Sequence, residues 1–169
     1  MCLNLRRISK DKEEVQNLKT CFFIGHHNAP ATVRPLLDDS IERHITEYGV
    51  TCFIVGHYGA YDRMAASAVI QAKKAHTGIK LLLLIPYHPT ERKVELDDGF
   101  DNSYYPEGME KVPRRFAIVR ANEYVIRHVC DYLIAYDAYL ATKTHDFVEI
   151  ARAREAKGGL HIENLAELL

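Results

Sequence analysis

Three short runs place chemistry-bearing side chains directly after apolar segments. Gly25-His26-His27 follows Cys21-Phe22-Phe23-Ile24, Gly56-His57-Tyr58-Gly59-Ala60-Tyr61-Asp62 follows Thr51-Cys52-Phe53-Ile54-Val55, and Thr142-Lys143-Thr144 closes a loop beyond Asp131-Tyr132-Leu133-Ile134-Ala135-Tyr136. Histidine titrates near physiological pH, so His26 and His27 are candidates to donate hydrogen bonds to phosphate or ribose, against the simpler role of capping the next loop. Gly25, Gly56 and Gly59 let backbone approach a ligand closely. Asp62 suits ribose hydroxyls or the orientation of His26, and equally suits the start of a helix. His57 and Tyr58 offer rings to a base, or ordinary loop packing. Lys143 can pair with an anion as a point charge, and Arg120 can meet a phosphate through two parallel bonds.

The elements that must position these residues follow from periodicity. A short apolar run ended by glycine reads as a buried parallel strand, which gives strands at 21–24, 51–55, 80–85, 131–136 and 160–162. Between them lie helical stretches from Val33 to Tyr48 with the stripe Leu37, Ile41, Ile45 and Tyr48, from Asp62 to about His76 with Ala65, Ala66, Ala68 and Ala72, and from His145 to Lys157. Gly49, Gly78 and Gly158-Gly159 supply helix stops. Another stretch from Arg114 to Val129 reads as two helical pieces with Asn122 as an internal cap. Strand and helix alternate, so the chain reads as α/β, built from the β-α-β-α-β half-unit of a doubly wound fold around a mostly parallel five-stranded sheet. In such sheets ligands sit outside the carboxyl ends of the strands, where helix amino termini present free N–H groups to phosphates or carboxylates. Loops 25–32, 56–62 and 137–144 leave those ends. The polar stretch 1–19, with a short helix over Val15 and Leu18, is assigned no role, and 87–113, rich in proline and glycine but carrying Tyr104 and Tyr105, reads as a lid-like insertion.

Composition narrows the classes. The 169 residues fit a single domain, and Lys+Arg 22 against Asp+Glu 23 leaves no basic field for nucleic acid. The longest uncharged apolar run, Leu81 to Ile85, is too short to span a bilayer, and Arg6, Arg7 and Lys10 to Glu14 interrupt any signal-peptide core, so a cytoplasmic protein without membrane contact is expected. Cys2, Cys21, Cys52 and Cys130 form no CxxC pair, and the nine histidines form no HxxxH or HExxH, so no metal is expected. Cys21 and Cys52 begin their strands, away from the proposed pocket, and read as buried structural thiols. The acidic run from Glu95 to Asp101 lacks calcium-loop spacing. No GxGxxG and no Walker lysine occurs, and no cofactor is expected.

Strand–Gly25-His26, strand–Gly56-x-x-Gly59-x-x-Asp62, Asp131-Tyr132-Leu133-Ile134-Ala135-Tyr136 and a threonine-bearing loop together resemble the SLOG superfamily, which holds DNA-processing DprA domains and the LOG phosphoribohydrolases. The likeness is greatest to its small YpsA-like branch and covers about residues 20–165. Where that branch carries Thr-Gly-His-Arg this chain has Ile24-Gly25-His26-His27, and Arg120-Ala121-Asn122 looks like its Arg-Asn segment. The resemblance implies a Rossmann-like three-layer sandwich of strand order 3-2-1-4-5, a nucleotide or nucleoside-derived ligand held by these residues with Asn122, Thr142, Lys143 and Thr144, and a homodimer. Family members carry Gly-Gly in the fourth loop; Thr142-Lys143 stands there instead, and their Pro-Gly-Gly-x-Gly-Thr-x-x-Glu motif is absent, with Glu149 about one helical turn beyond its glutamate. A binding or sensor module is therefore the first reading. An N-glycosidic hydrolase or transferase acting on nucleotides, with Glu107, Glu110 or Glu149 as acid–base groups, is the second, and a scaffold with a vestigial pocket the third.

Overall fold

The structure, a computed structural model, describes residues 18–169. The stretch 1–17, with Cys2 and the start of the short helix expected over Val15, lies outside them. Strands β1 (Thr20–Gly25), β2 (Cys52–Val55), β3 (Lys80–Leu84), β4 (Asn102–Tyr104), β5 (Tyr132–Tyr136) and β6 (His161–Asn164) form one sheet, and every pairing in it is parallel. Its order is β4-β3-β2-β1-β5-β6. The central strand β1 is apolar from Cys21 to Ile24 because both of its faces are covered. Phe22 and Ile24 point to one layer, Cys21 and Phe23 to the other, as the two-residue period of a strand requires.

Helices α1 (Arg34–Thr46) and α2 (Ala60–Lys73) cover the face of Cys21, Phe23 and Phe53, while α3 (Ala117–His128) and α4 (Lys143–Glu155) cover the face of Phe22, Ile54 and Leu133. Ala65 and Ala68 are buried, so α2 lies close to the sheet as their small size predicts. α1 is tied to β6 by Arg43 and Ser40, both bonded to the Glu163 carboxylate. Gly49 and Gly78 adopt φ +72 and +86, which matches their role as helix stops. Cys21, Cys52 and Cys130 are buried free thiols.

Two expectations are corrected. The sheet has six strands and not five: the five expected strands keep their order, and β4 adds an edge beyond β3 inside the segment read as a lid. Asn102-Ser103-Tyr104 has no apolar alternation to announce a strand. Its place is set by backbone pairing, with Ile85 N–H donating to Tyr104 O at 2.9 Å, and by the Asp101 carboxylate, which accepts from Leu81 N–H at 2.8 Å and from Lys73 Nζ at 2.5 Å. The second correction concerns Asn122. α3 runs unbroken through it, and its amide donates to Ile118 O at 3.0 Å, one turn back, so it caps nothing; the break falls earlier, where the 3-10 turn Arg114–Phe116 leads into the helix.

Candidate functional site

The strand order reverses between β1 and β5, whose outgoing loops leave toward opposite layers. Such a switch point is where open α/β sheets take ligands. Here His26 occupies it, only 5% exposed. Its Nε2 accepts the Ala138 N–H at 2.9 Å, which requires that nitrogen to be unprotonated, and burial lowers its pKa further. The Tyr139 ring lies 4.9 Å from the imidazole and Tyr136 meets it edge-on at 5.7 Å. Loop 56–62 closes from the other side: Ala60 N–H donates to His27 O at 2.7 Å, and a Cβ on Gly59 would come within 2.7 Å of His27 Cα. Gly25 faces the Tyr61 ring, which a Cβ would meet at 2.3 Å, and the Tyr61 hydroxyl donates to Ile134 O at 3.0 Å. The three loops are thus tied to one another, and Gly25 and Gly59 admit protein neighbours.

The other residues singled out from sequence are distributed around this knot. Asp62 is bonded to Tyr58 N–H at 3.0 Å, and burial raises its pKa to about 6; it also stands 3.0 Å from where a Gly56 Cβ would be. His57 and Tyr58 are exposed and stack on each other at 4.2 Å, and His27 is exposed. Thr142 caps α4, accepting from His145 N–H at 3.2 Å, while Lys143 pairs with Asp146 at 2.9 Å and Thr144 lies in the first turn. Arg120 pairs with Glu123 at 3.1 Å on the surface of α3, and Glu149 with Arg152 at 3.4 Å. Glu107 is exposed in the turn after β4.

A cavity of about 430 Å³ opens beyond the carboxyl ends of β3 and β4. Tyr87, His88, Glu91, Tyr105, Glu110 and Arg114 line it. The Arg114 guanidinium lies 5.5 Å from the centre of the Tyr87 ring and Arg92 5.7 Å from it, within cation–π range. His88 meets Tyr105 edge-on at 5.3 Å. Burial, and then the Glu110 and Glu91 charges, raise the pKa of the Tyr105 phenol and keep it a hydrogen-bond donor. The volume falls among those of small-molecule sites, and aromatic walls with a few polar groups match their usual lining. No protein-family model matches this chain, and no curated protein matches it. Of the site residues named from sequence, Glu110 alone is on this cavity wall; the remainder of the wall comes from the segment read as a lid and from the turn before α3. Tyr105, one of the two tyrosines that set the inserted segment apart, carried a sequence signal there.

A second group escaped sequence reading. Asp137, the first residue beyond β5, holds His145 in the first turn of α4: Nδ1–H donates to Oδ2 at 2.7 Å. The Asp137 side chain is 6% exposed and its Oδ1 has no hydrogen-bond partner among the described residues. Asn164 fixes its backbone, accepting from Asp137 N–H at 3.0 Å and donating to Asp137 O at 3.1 Å. The bond to Asp137 raises the His145 pKa. An aspartate directly after an apolar strand, with a histidine at the next helix start, was the available signal. Among the described residues no cluster of three or more His, Cys, Asp or Glu side chains is arranged to hold a metal. No helix among them is long and apolar enough to cross a membrane.

Proposed function

We propose that this protein binds a nucleotide or nucleoside-derived ligand at the carboxyl edge of its sheet, in the cavity beyond β3 and β4, as a binding or regulatory module of the SLOG kind. The convergence of Tyr87, Tyr105 and Arg114 on that cavity carries the reading. Tyr105 and Tyr87 offer ring faces to a base. Glu91 and Glu110 accept from ribose hydroxyls, and Arg114 with His88 meets a phosphate. The ligand thereby lies two strands over from β1, toward the edge of the sheet, while the loops at the switch point are bonded to one another. Thermal unfolding with a panel of nucleosides, nucleotides and nucleotide sugars tests this: a ligand at 100 times its dissociation constant adds about 2.7 kcal/mol. Arg114→Gln and Tyr105→Ala should each weaken the shift. A panel that moves nothing overturns the proposal.

The paired carboxylates favour a second reading, N-glycosidic cleavage. Glu91 and Glu110 line one cavity, so one can protonate the departing base while the other takes a proton from the attacking water. Release of free base, abolished by Glu110→Gln while the thermal shift persists, would establish it. Binding without turnover leaves the first reading standing and removes the second.

A further inference from the structure

We infer that Asp137 and His145 form a general-base dyad that hydrolyses a small, uncharged acyl ester in the cavity beyond the carboxyl ends of β5 and β6. That cavity, about 360 Å³, is lined by both residues and lies apart from the one beyond β3 and β4. The buried Asp137 carboxylate takes the Nδ1–H of His145 at 2.7 Å, which fixes the tautomer and leaves Nε2 as the proton acceptor. Nε2 has no hydrogen-bond partner among the described residues, and the His145 side chain is 28% exposed, so solvent and ligand can reach the ring. His26 does not relieve Asp137: its Nε2 lies 3.9 Å from Oδ1, beyond hydrogen-bond reach, and takes the Ala138 N–H instead. Among the described residues His145 is the one partner bonded to this carboxylate side chain, whose other oxygen is buried without a hydrogen bond, and proton uptake by the imidazole is favoured.

The walls select the substrate. Arg152, on the lining, is already engaged by Glu149 at 3.4 Å and Glu167 at 3.3 Å, so its charge is not free for an anionic substrate. Tyr139 and Leu140, 57% and 78% exposed, supply apolar surface for an acyl chain. Thr142 accepts from the N–H groups of His145 and Asp146 at the start of α4, which fixes His145 in the first turn of the helix. In the reaction, water gives a proton to His145 Nε2 as its oxygen bonds to the ester carbonyl carbon. The tetrahedral oxyanion then collapses, the bond to the alcohol oxygen breaks, and that oxygen takes the proton back from Nε2. The alcohol and the carboxylic acid leave, and the acid loses its proton to solvent. Asp137 acts as a positioning residue through His145.

Release of 4-nitrophenolate from 4-nitrophenyl acetate by the full chain, followed across the pH range of histidine titration, tests the inference. The rate should exceed buffer, rise as His145 deprotonates, and fall about a hundredfold in His145→Gln. Added imidazole should raise turnover by His145→Ala above the rate that the same imidazole gives without protein. Asp137→Asn should lower the rate and move the pH midpoint downward, because the group that raises the His145 pKa is gone. Hydrolysis no faster than buffer, or a His145→Gln variant as fast as the parent, overturns the dyad; an unchanged midpoint in a folded Asp137→Asn overturns the role of Asp137. If Asp137→Asn does not fold, His145→Gln and the imidazole rescue of His145→Ala decide, with cooperative unfolding of both variants showing that they are folded.

Discussion

His26 Nε2 accepts the backbone N–H of Ala138 across 2.9 Å, joining the loop after β1 to the loop after β5. The bond exists only while that nitrogen is unprotonated, so the closure of the switch point and the charge state of one histidine are the same variable.

An acid-side loss of stability follows. Burial lowers the His26 pKa below its unfolded value of about 6.5. Between the two values the unfolded chain binds more protons, so stability falls as pH drops below about 6.5 and levels off beneath the folded pKa. His44 is displaced in the same direction by burial and adds to the slope. Urea midpoints measured against pH should show a shallower acid slope in His26→Gln than in the parent, with about 1–2 kcal/mol lost at neutral pH. An identical slope would mean that His26 does not hold the loops in its neutral form.

Gly25→Ala should be among the most damaging single changes in the chain. Its Cβ would stand 2.3 Å from the Tyr61 ring, which is itself fixed by full burial and by the bond to Ile134 O. A loss above about 3 kcal/mol is expected, the range of severe overpacking. Gly56→Ala meets the Asp62 carboxylate at 3.0 Å and should cost less, because that side chain can shift. Denaturation curves of the two variants give the order directly.

Asp62→Asn should stabilise the protein at neutral pH. Burial raises the Asp62 pKa from 3.8 to about 6, so the folded state binds more protons in that interval and stability falls as pH rises through it. The charge therefore costs roughly 2–3 kcal/mol once ionised. Asparagine keeps an oxygen for Tyr58 N–H and removes the charge. Melting temperatures above and below the interval should differ between parent and variant only on the neutral side.

Ala141 has φ +58, the left-handed region, where a Cβ costs about 1–2 kcal/mol. Glycine removes that strain but adds about 0.4–1 kcal/mol of unfolded-state entropy. Ala141→Gly should therefore gain up to about 1.5 kcal/mol, read from its urea midpoint. A net loss would show that the loop holds Ala141 by contacts its backbone angle does not reveal.

The apolar runs at Cys21, Cys52, Leu81 and Leu133 determined β1, β2, β3 and β5 without help from the fold, because a strand covered on both faces must be apolar along its length. The spacing of Leu37 and Ile41, and of Ala65 and Ala68, likewise determined which helix faces turn inward. The sequence also brought His26, Gly25 and Asp62 to one end of the sheet, since every strand carries its following loop to the same edge of a parallel sheet. What each does there was decided by tertiary structure. Gly25 faces Tyr61, His26 bonds to a residue 112 positions away because β5 lies beside β1, and Asp137 turns its carboxylate to His145 through the course of the loop from β5 into α4. The edge strand β4 was equally invisible, as backbone pairing with β3 places it and backbone groups are the same in every residue. Local pattern reports what a segment must bury. The partners of its polar groups depend on neighbours that only the assembled sheet supplies.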